Sequence, residues 1–276
     1  MDKINVREVF KEKNPKIAKL IPGFIFRYIE RIVHQKEVNE IREQINHLQG
    51  LDYAKGIIDY FDIKIQIKGE EFIPTEGRNI FVANHPLGGF DGIVFAHAVG
   101  QKNPNIKFLV NDILMNLNNF DSIFIPVNKH GRQSIEYVRR IEETYKSNDQ
   151  VLNFPAGLCS RKINGEIVDL EWRKSFISKA VEHKRDVVPV HISGRNSNFF
   201  YNLSNFRTKL GIKINFEMFY LVDEAFKQKK KNITLTFGKP IPYQKFDKSM
   251  HAKDWAKKIQ KHIYKLPKDN TIAFQD

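Results

Sequence analysis

The stretch FVANHPLGGFDG, from Phe81 to Gly92, places a histidine and an aspartate on either side of a glycine-rich turn. It follows the apolar run Asn79–Ala83, whose composition predicts a buried strand. Ligands of α/β folds gather at the carboxyl ends of strands, where His85 is expected. A carboxylate such as Asp91 fixes the tautomer of a histidine general base and stabilises its imidazolium form. Alternatively, Asp91 caps a helix and His85 is a plain loop residue. Taken alone, the stretch favours this alternative, because short motifs match by chance.

Three other stretches combine an apolar run, a proline and a basic residue. They are FIPVNKHGR (124–132), VLNFPAGLCSRK (151–162) and VVPVHISGRNS (187–197). In the second, backbone N–H groups of the Pro/Gly turn together with Arg161 and Lys162 predict an anion site. The alternative is an ordinary exit from a strand into a loop.

Composition limits the classes of protein and partner. The chain has 276 residues, a net charge of +13 and a single cysteine. Such a charge favours nucleic acid, anionic lipid headgroups or an acidic protein as partner, unless it is only a solvated lysine-rich surface. One cysteine excludes an internal disulfide and suits a reducing compartment. Nine scattered histidines predict no metal site, and we expect no signal peptide and no transmembrane span.

The first 61 residues are predicted to be helical. The segment Leu20–Val33 has a wide apolar face and a narrow basic edge, which is typical of a helix at a membrane interface. A helix that packs on the rest of the protein has the same pattern, and the two interpretations weigh equally. The predicted membrane contacts are Phe24, Ile25, Phe26, Tyr28 and Ile29.

From residue 62 onward, short β-rich runs alternate with helical stretches. This order predicts an α/β fold with a central, mostly parallel or mixed sheet flanked by helices. We therefore expect an N-terminal helical segment, residues 1–61, and an α/β domain, residues 62–276. The expected strands are 63–67, 79–83, 106–110, 122–125, 150–154, 187–191, 212–220 and 233–237, and the expected helices are 91–99, 112–116, 133–147, 173–183 and 250–266.

Four strand ends in this order resemble the PlsC-type glycerolipid acyltransferases of the lysophospholipid acyltransferase superfamily. NHPLGGFD is similar to the first motif of that family, IFIPVN to the second, FPAGLCSR to the third and VVPVHISG to the fourth. RYIERIVHQKEVNEI and GRNSNFFYNL resemble more closely the branch labelled "hemolysin" and the O-acyltransferases of ornithine and glycine lipids. The resemblance spans about residues 62–243.

Two departures from the family pattern matter. Phe90 stands at the usual aspartate position, so that Asp91 serves as the orienting carboxylate only if Gly88 and Gly89 absorb one extra residue. Ala156 replaces the glutamate of the third motif, in the region that binds the polar head of the acceptor. The loss suggests an N-acylated amino acid as acceptor, with its carboxylate at Arg161 or Arg195.

The resemblance implies an O-acyltransferase that moves a fatty acyl group from a thioester to a lyso-lipid hydroxyl, with His85 as general base and no cofactor. The donor is acyl carrier protein or CoA, and the enzyme is peripheral, at the cytoplasmic face of an inner membrane. Acceptor binding falls to Gly157, Ser160, Arg161 and Arg195, and the oxyanion or turn glycines are Gly88, Gly89 and Gly157.

The alternatives are acylation of 1-acylglycerol-3-phosphate, a basic protein that binds nucleic acid or membranes without catalysis, a membrane-lytic protein, and a hydrolase using the same histidine. Nucleic acid is not expected as partner, because the chain has no helix-turn-helix pattern, zinc spacing or RNP-like strand.

Overall fold

The computed structural model describes residues 3–13, 15–111, 118–127 and 135–275. Its α-helices are α1 (Val6–Lys13), α2 (Pro15–Leu20), α3 (Gly23–Ile32), α4 (Gln35–Ile45), α5 (Gly50–Tyr60), α6 (Gly89–Gly100), α7 (Ile135–Lys146), α8 (Ser175–His183), α9 (Asn198–Lys209), α10 (Leu221–Phe226) and α11 (Ala252–Ile263). Its strands are β1 (Lys64–Lys68), β2 (Asn79–Ala83), β3 (Ile106–Asn111), β4 (Phe124–Val127), β5 (Gln150–Asn153), β6 (Arg161–Ile163), β7 (Glu166–Val168), β8 (Asp186–Ile192) and β9 (Asn232–Phe237).

Seven of these strands form one sheet in the order β1-β9-β8-β2-β5-β3-β4, and β6 and β7 form a separate hairpin. The strands β8, β2, β5, β3 and β4 run parallel to one another, whereas β9 pairs antiparallel with β8 and parallel with β1. The expected α/β fold with a mixed sheet is therefore confirmed.

The central strand β2 is buried along its whole length, which explains its continuous apolar sequence. Successive side chains of a strand point to opposite faces of the sheet. Phe81 and Ala83 accordingly join the core formed with α5 and α6, and Ile80 and Val82 join the core formed with α8 and α11. The two cores fix the strand from both sides, and the loop after Ala83 starts from a rigid position.

The N-terminal helices divide between two cores. Ile41 of α4 and Tyr53 and Ile58 of α5 belong to the same core as the sheet, whereas α1–α3 have a small cluster of their own. The part of residues 1–61 that stands apart from the main core is therefore α1–α3. Among the described residues, no helix has both the length and the apolar character that a bilayer crossing requires.

The predicted membrane helix contains one error. Phe26 is buried beneath α3, where its ring meets Phe10 edge to face and the guanidinium of Arg7. It cannot contact a membrane in this conformation. Phe24 and Tyr28 are exposed, at 63% and 41%. Ile25 and Ile29 are half-buried.

The expected strand over residues 212–220 is wrong. Ile214 is exposed, and Phe216–Tyr220 form a 3₁₀ turn whose Glu217 points inward to two arginines. The alternation of apolar residues there has no neighbouring strand to pair with. The sequence analysis also missed α9, α10 and the hairpin of β6 and β7. The expected helix 112–116 and residues 128–132 of the FIPVNKHGR stretch lie outside the described residues.

Arg185 closes the end of the sheet opposite to His85. Its buried guanidinium donates to the carbonyl oxygens of Thr144, Tyr145, Ser147 and Asp149 at distances of 2.6–3.1 Å. The last carbonyls of a helix have no partner within the helix, and a cation there also interacts favourably with the helix dipole. Arg185 thus ends α7 and fixes the turn that leads into β5.

We expect Arg185→Met to lower the free energy of unfolding by at least about 3 kcal/mol, because it leaves several buried carbonyl groups unpaired. Arg185→Lys should lose less, since an ammonium still donates up to three hydrogen bonds. Chemical denaturation of both variants measures the difference. Equal stability of Arg185→Met and the wild type would contradict this role.

Candidate active site

Three neighbouring parallel strands end at the candidate site. β2 leads into His85, β5 leads into Phe154, and β8 leads into the loop with Arg195. Parallel pairing brings these carboxyl ends to one edge of the sheet, as the sequence predicted. The ring of Phe154 stacks on the His85 ring with 4.1 Å between centroids, so that residues from two strand ends are in direct contact.

His85 and Asp91 form a hydrogen-bonded pair. Nδ1 of His85 lies 2.8 Å from Oδ2 of Asp91. An ionised carboxylate only accepts hydrogen bonds, so Nδ1 carries the proton and Nε2 keeps its lone pair. Nε2 has no hydrogen-bond partner among the described residues, and 16% of the side chain is exposed. The arrangement allows this nitrogen to accept a proton from a bound molecule.

The turn between the two residues accommodates the extra position. Gly88 has φ +76° and ψ −131°, a conformation that side-chain-bearing residues rarely adopt, and a Cβ there would lie 2.9 Å from Leu221. α6 then begins at Gly89 and brings Asp91 back to the ring and to the N–H of Leu87, at 2.8 Å. Phe90, at the usual aspartate position, is buried against Phe61 instead.

A second carboxylate, which the sequence analysis missed, holds the backbone of His85. Oδ1 of Asp169 accepts the N–H of His85 at 3.1 Å and the hydroxyl of Ser160 at 2.6 Å, and Oδ2 accepts the indole N–H of Trp172. The N–H of Ser160 in turn donates to the His85 carbonyl at 2.7 Å. The only signal in the sequence was an aspartate ending an apolar run.

Burial disfavours the ionised form of both carboxylates. Burial raises the pKa of Asp91, and the hydrogen bonds from His85 and Leu87 offset this only in part. Burial also raises the pKa of Asp169. One oxygen of Asp91 is buried without a hydrogen-bond partner among the described residues. A negative charge on either carboxylate attracts a positive charge on the His85 ring, so both carboxylates face the group that would gain a proton in general-base chemistry.

Three residues expected to bind an anion have structural partners instead. The Gly157 N–H, proposed for an oxyanion, donates to the Phe154 carbonyl, and Ser160 is buried on Asp169. Arg161 is also buried, with Nη2 3.1 Å from Glu217 and Nη1 2.7 Å from the Cys159 carbonyl. Since this guanidinium is buried and bound to Glu217, an incoming anion finds no accessible surface on it.

Arg195 differs from Arg161 in its exposure. It follows β8, its guanidinium donates to the side chain of Asn198, and it lies over the ring of Tyr201. No carboxylate is paired with it among the described residues. Of the two arginines that the sequence offered for an acceptor carboxylate, Arg195 is the one with a free charge.

Cys159 lies in the same loop but is unsuited to nucleophilic chemistry. Only 1% of it is exposed, and burial raises its pKa to about 11. The thiolate is the reactive form of cysteine, so this thiol is largely unreactive near neutral pH. Covalent catalysis through Cys159 therefore has no support in the site.

Another polar cluster lies away from this edge. Glu142, Glu182 and His183 are close enough to offer ligands to one metal ion, but the ammonium of Lys179 contacts both carboxylates. A cation is thus already supplied by the chain, and we assign no metal to the cluster.

Comparison with known proteins identifies the family of the chain. Residues 8–272 match a family model described as "Acyltransferase". The chain belongs to this acyltransferase family. It is 47% identical to the lyso-glycine lipid O-acyltransferase of Bacteroides thetaiotaomicron and 45% identical to that of Phocaeicola vulgatus, over 95% of this chain and 97% and 95% of the relatives. PlsC of Thermotoga maritima, a 1-acyl-sn-glycerophosphate acyltransferase, shares the fold, with a TM-score of 0.51, 17% identity and coverage of 89% and 90%.

Membership of the acyltransferase family is consistent with the site. The resemblance drawn from the sequence implied a histidine and a carboxylate after a strand, and the structure joins His85 to Asp91 despite one extra residue. The protein is therefore an enzyme that transfers acyl groups. The glutamate of the third motif remains replaced by Ala156, which is buried beside the loop.

Asp91→Asn separates the role of the carboxylate in catalysis from its role in stability. We expect acyl transfer to fall about 10³-fold or more, because an amide neither fixes the tautomer of His85 nor stabilises its positive charge. The melting temperature should stay level or rise, since the ionised form of Asp91 is disfavoured by burial. Rate measurement and thermal denaturation test both parts.

Asp52→Asn is the matched control, because Asp52 also lies in the first turn of a helix but is exposed. It should change neither quantity. A large drop in the melting temperature of Asp91→Asn, with activity lost only in proportion to unfolding, would contradict the catalytic role.

We expect Cys159→Ala to retain most of the acyl-transfer activity. A maleimide should label the thiol of the native protein roughly 100-fold more slowly than that of the denatured protein, because burial suppresses both access and the thiolate. Loss of activity at an unchanged melting temperature would show that the thiol takes part in the reaction.

Proposed function

We propose that the protein transfers a fatty acyl group from an acyl thioester to the hydroxyl group of a lyso-aminolipid, with an N-acylated amino acid such as lyso-glycine lipid as acceptor. The observation that supports it most is the unpartnered Nε2 of His85, set by the bond from Nδ1 to Asp91. The two relatives at 45–47% identity are named for this reaction.

In the proposed reaction, Nε2 of His85 takes the proton of the acceptor hydroxyl as its oxygen attacks the thioester carbonyl. Asp91 and Asp169 stabilise the imidazolium that results. The tetrahedral intermediate then expels the thiolate, which receives the proton back from His85. No acyl-enzyme forms, so the activation free energy is lowered by general-base catalysis and by positioning of the two substrates.

The negative oxygen of the intermediate needs N–H donors. Since the Gly157 N–H is committed to Phe154, the amides of Gly88 and Gly89 remain from the predicted set. They open the 12-residue helix α6, whose positive end faces the loop with His85. Gly89 is exposed, and a Cβ there would meet nothing within 4 Å, so there is room for a substrate atom.

The exposed Arg195 is proposed to bind the carboxylate of the acceptor. Arg195 stands at the end of β8, the strand next to the one that carries His85. An arginine recognises a carboxylate with two parallel hydrogen bonds. This assignment replaces Arg161, which is buried and bound to Glu217.

The membrane and the donor complete the proposal. Leu20, Phe24 and Tyr28 expose their apolar side chains on α2 and α3, and the net charge of +13 suits an anionic leaflet. The same charge suits either an acidic acyl carrier protein or the phosphates of CoA. We place the enzyme as a peripheral protein at the cytoplasmic face of the inner membrane.

The direct test presents purified protein with an N-(hydroxyacyl)glycine or with lysophosphatidic acid, each with acyl-acyl carrier protein or acyl-CoA. We expect a diacylated aminolipid from the first acceptor, and a loss of about 10²–10⁴-fold in His85→Ala and His85→Gln at unchanged melting temperature. Arg195→Ala should raise KM for the glycine acceptor, whereas Arg139→Ala on α7, also an exposed arginine, should not.

If the protein acylated lysophosphatidic acid and did not acylate the N-acyl amino acid, the proposed acceptor would be wrong. Release of free fatty acid at the same rate with and without acceptor would indicate a hydrolase. In cells, deletion of the gene should remove a diacylated aminolipid and accumulate its monoacyl precursor.

A further inference from the structure

α9 is apolar on two faces. Phe200, Tyr201 and Ser204 are buried toward the loop of Cys159. On the outer side, apolar residues recur at i, i+4, i+7 and i+11, a spacing that makes one stripe along a helix. The stripe consists of Phe199 (50% exposed), the half-buried Leu203, Phe206 (60%) and Leu210 (56%), which caps the helix. Phe206 and Leu210 are the most exposed members of the stripe.

The stripe continues into the segment that follows. Ile212, Ile214 and Phe219 are 39%, 73% and 47% exposed. We call these three residues and the stripe of α9 the α9 surface. The α9 surface also reaches α3, because the ring of Phe199 meets that of Tyr220, whose hydroxyl is hydrogen-bonded to the hydroxyl of Tyr28. A run of exposed apolar side chains that forms one surface on a protein is typical of an interaction site.

The exposed charges of the segment that carries the α9 surface are of one sign. Residues 194–216 contain Arg195, Arg207, Lys209 and Lys213 and no aspartate or glutamate. The next acid, Glu217, is fully buried and is bound by Arg161 and Arg207. An apolar stripe whose own segment carries exposed cations and no exposed acid matches an anionic bilayer, with the apolar side chains entering the acyl boundary and the cations at the phosphates.

We propose that the α9 surface docks on an anionic membrane interface and, together with α3, sets the orientation of the enzyme there. The inference rests on the proposed lipid acceptor. It goes beyond recruitment by α3, since it places a second element in the same plane.

The position of the α9 surface links docking to the active site. The inner face of α9 packs on Cys159, and the segment after Tyr220 brings Leu221 against Gly88 in the loop of His85. One helix thus separates the bilayer from the site, and an acceptor that leaves the membrane beside α9 arrives next to His85 and Arg195.

The test compares the full-length Phe206→Ser/Leu210→Ser variant with the wild type in flotation with vesicles of phosphatidylethanolamine and phosphatidylglycerol. We expect at least about tenfold weaker binding, because two exposed apolar side chains no longer enter the bilayer. KM for an acceptor presented in vesicles should rise, with kcat for a short-chain, water-soluble acceptor unchanged.

Ile135→Ser/Val138→Ser is the matched control, because it removes two exposed apolar side chains from α7. It should bind vesicles like the wild type. Lys209→Gln/Lys213→Gln should weaken binding to these vesicles but not to vesicles of phosphatidylcholine alone. Both serine variants should keep the wild-type melting temperature.

The proposal would be overturned if Phe206→Ser/Leu210→Ser floated with vesicles as well as the wild type does, or if the α7 control lost as much vesicle binding. The proposal would also fail if the wild type sedimented as a dimer, the variant sedimented as a monomer, and both bound vesicles equally. The α9 surface would then join two copies of the chain. If neither the wild type nor the variant acylates the short-chain acceptor but the variant still binds vesicles more weakly, the proposed acceptor is wrong and the docking proposal is supported.

Discussion

The geometry of the site depends on how the chain holds Asn84 and His85 between the end of β8 and the segment that contains Ser160 and Asp169. The carboxamide of Asn84 donates to the carbonyl of Ile192 at 2.9 Å and accepts its N–H at 2.7 Å, which ties the end of β2 to β8. On the other side, the N–H and C=O of His85 bond to Asp169 and Ser160. The backbone of His85, the proposed general base, is thus fixed from both sides, and only the ring remains to be oriented by Asp91. A base held this way loses little freedom when substrate binds, which lowers the cost of reaching a reactive geometry.

The fixation requires features that do not favour stability by themselves. Gly88 adopts a backbone conformation available to few residues, and Asp91 and Asp169 are ionisable groups almost without solvent contact. Burying a carboxylate is unfavourable unless hydrogen bonds compensate, and one oxygen of Asp91 has none among the described residues. Local conflicts of this kind concentrate at functional sites, because the surrounding structure must supply the stability that the site lacks. Here the two cores on either face of β2 supply it.

The sequence predicted the parts of this arrangement that depend on local pattern. The strand Asn79–Ala83 and the pairing of His85 with Asp91 follow from an apolar run, a glycine turn and a charge, all within 13 residues. Arg161 was misassigned because its partner, Glu217, lies 56 residues further along the chain. Its burial depends on α9 and the 3₁₀ turn, which the sequence analysis replaced with a strand. Asp169 was missed for the same reason, since two of its partners, His85 and Tyr264, lie 84 and 95 residues away along the chain.

The misread segment shows why periodicity alone was insufficient. α9 carries apolar residues on two faces, so its pattern is not that of a helix with one buried stripe, and Ile212 and Ile214 alternate like a strand although nothing pairs with them. A helix that packs on a protein on one side and contacts lipid on the other has such a pattern, because both environments select apolar side chains. In a protein surrounded only by water, the outer stripe would oppose solubility. The proposed docking accounts for the mixed pattern, because it places lipid against the outer face of α9 while the inner face packs on the loop of Cys159.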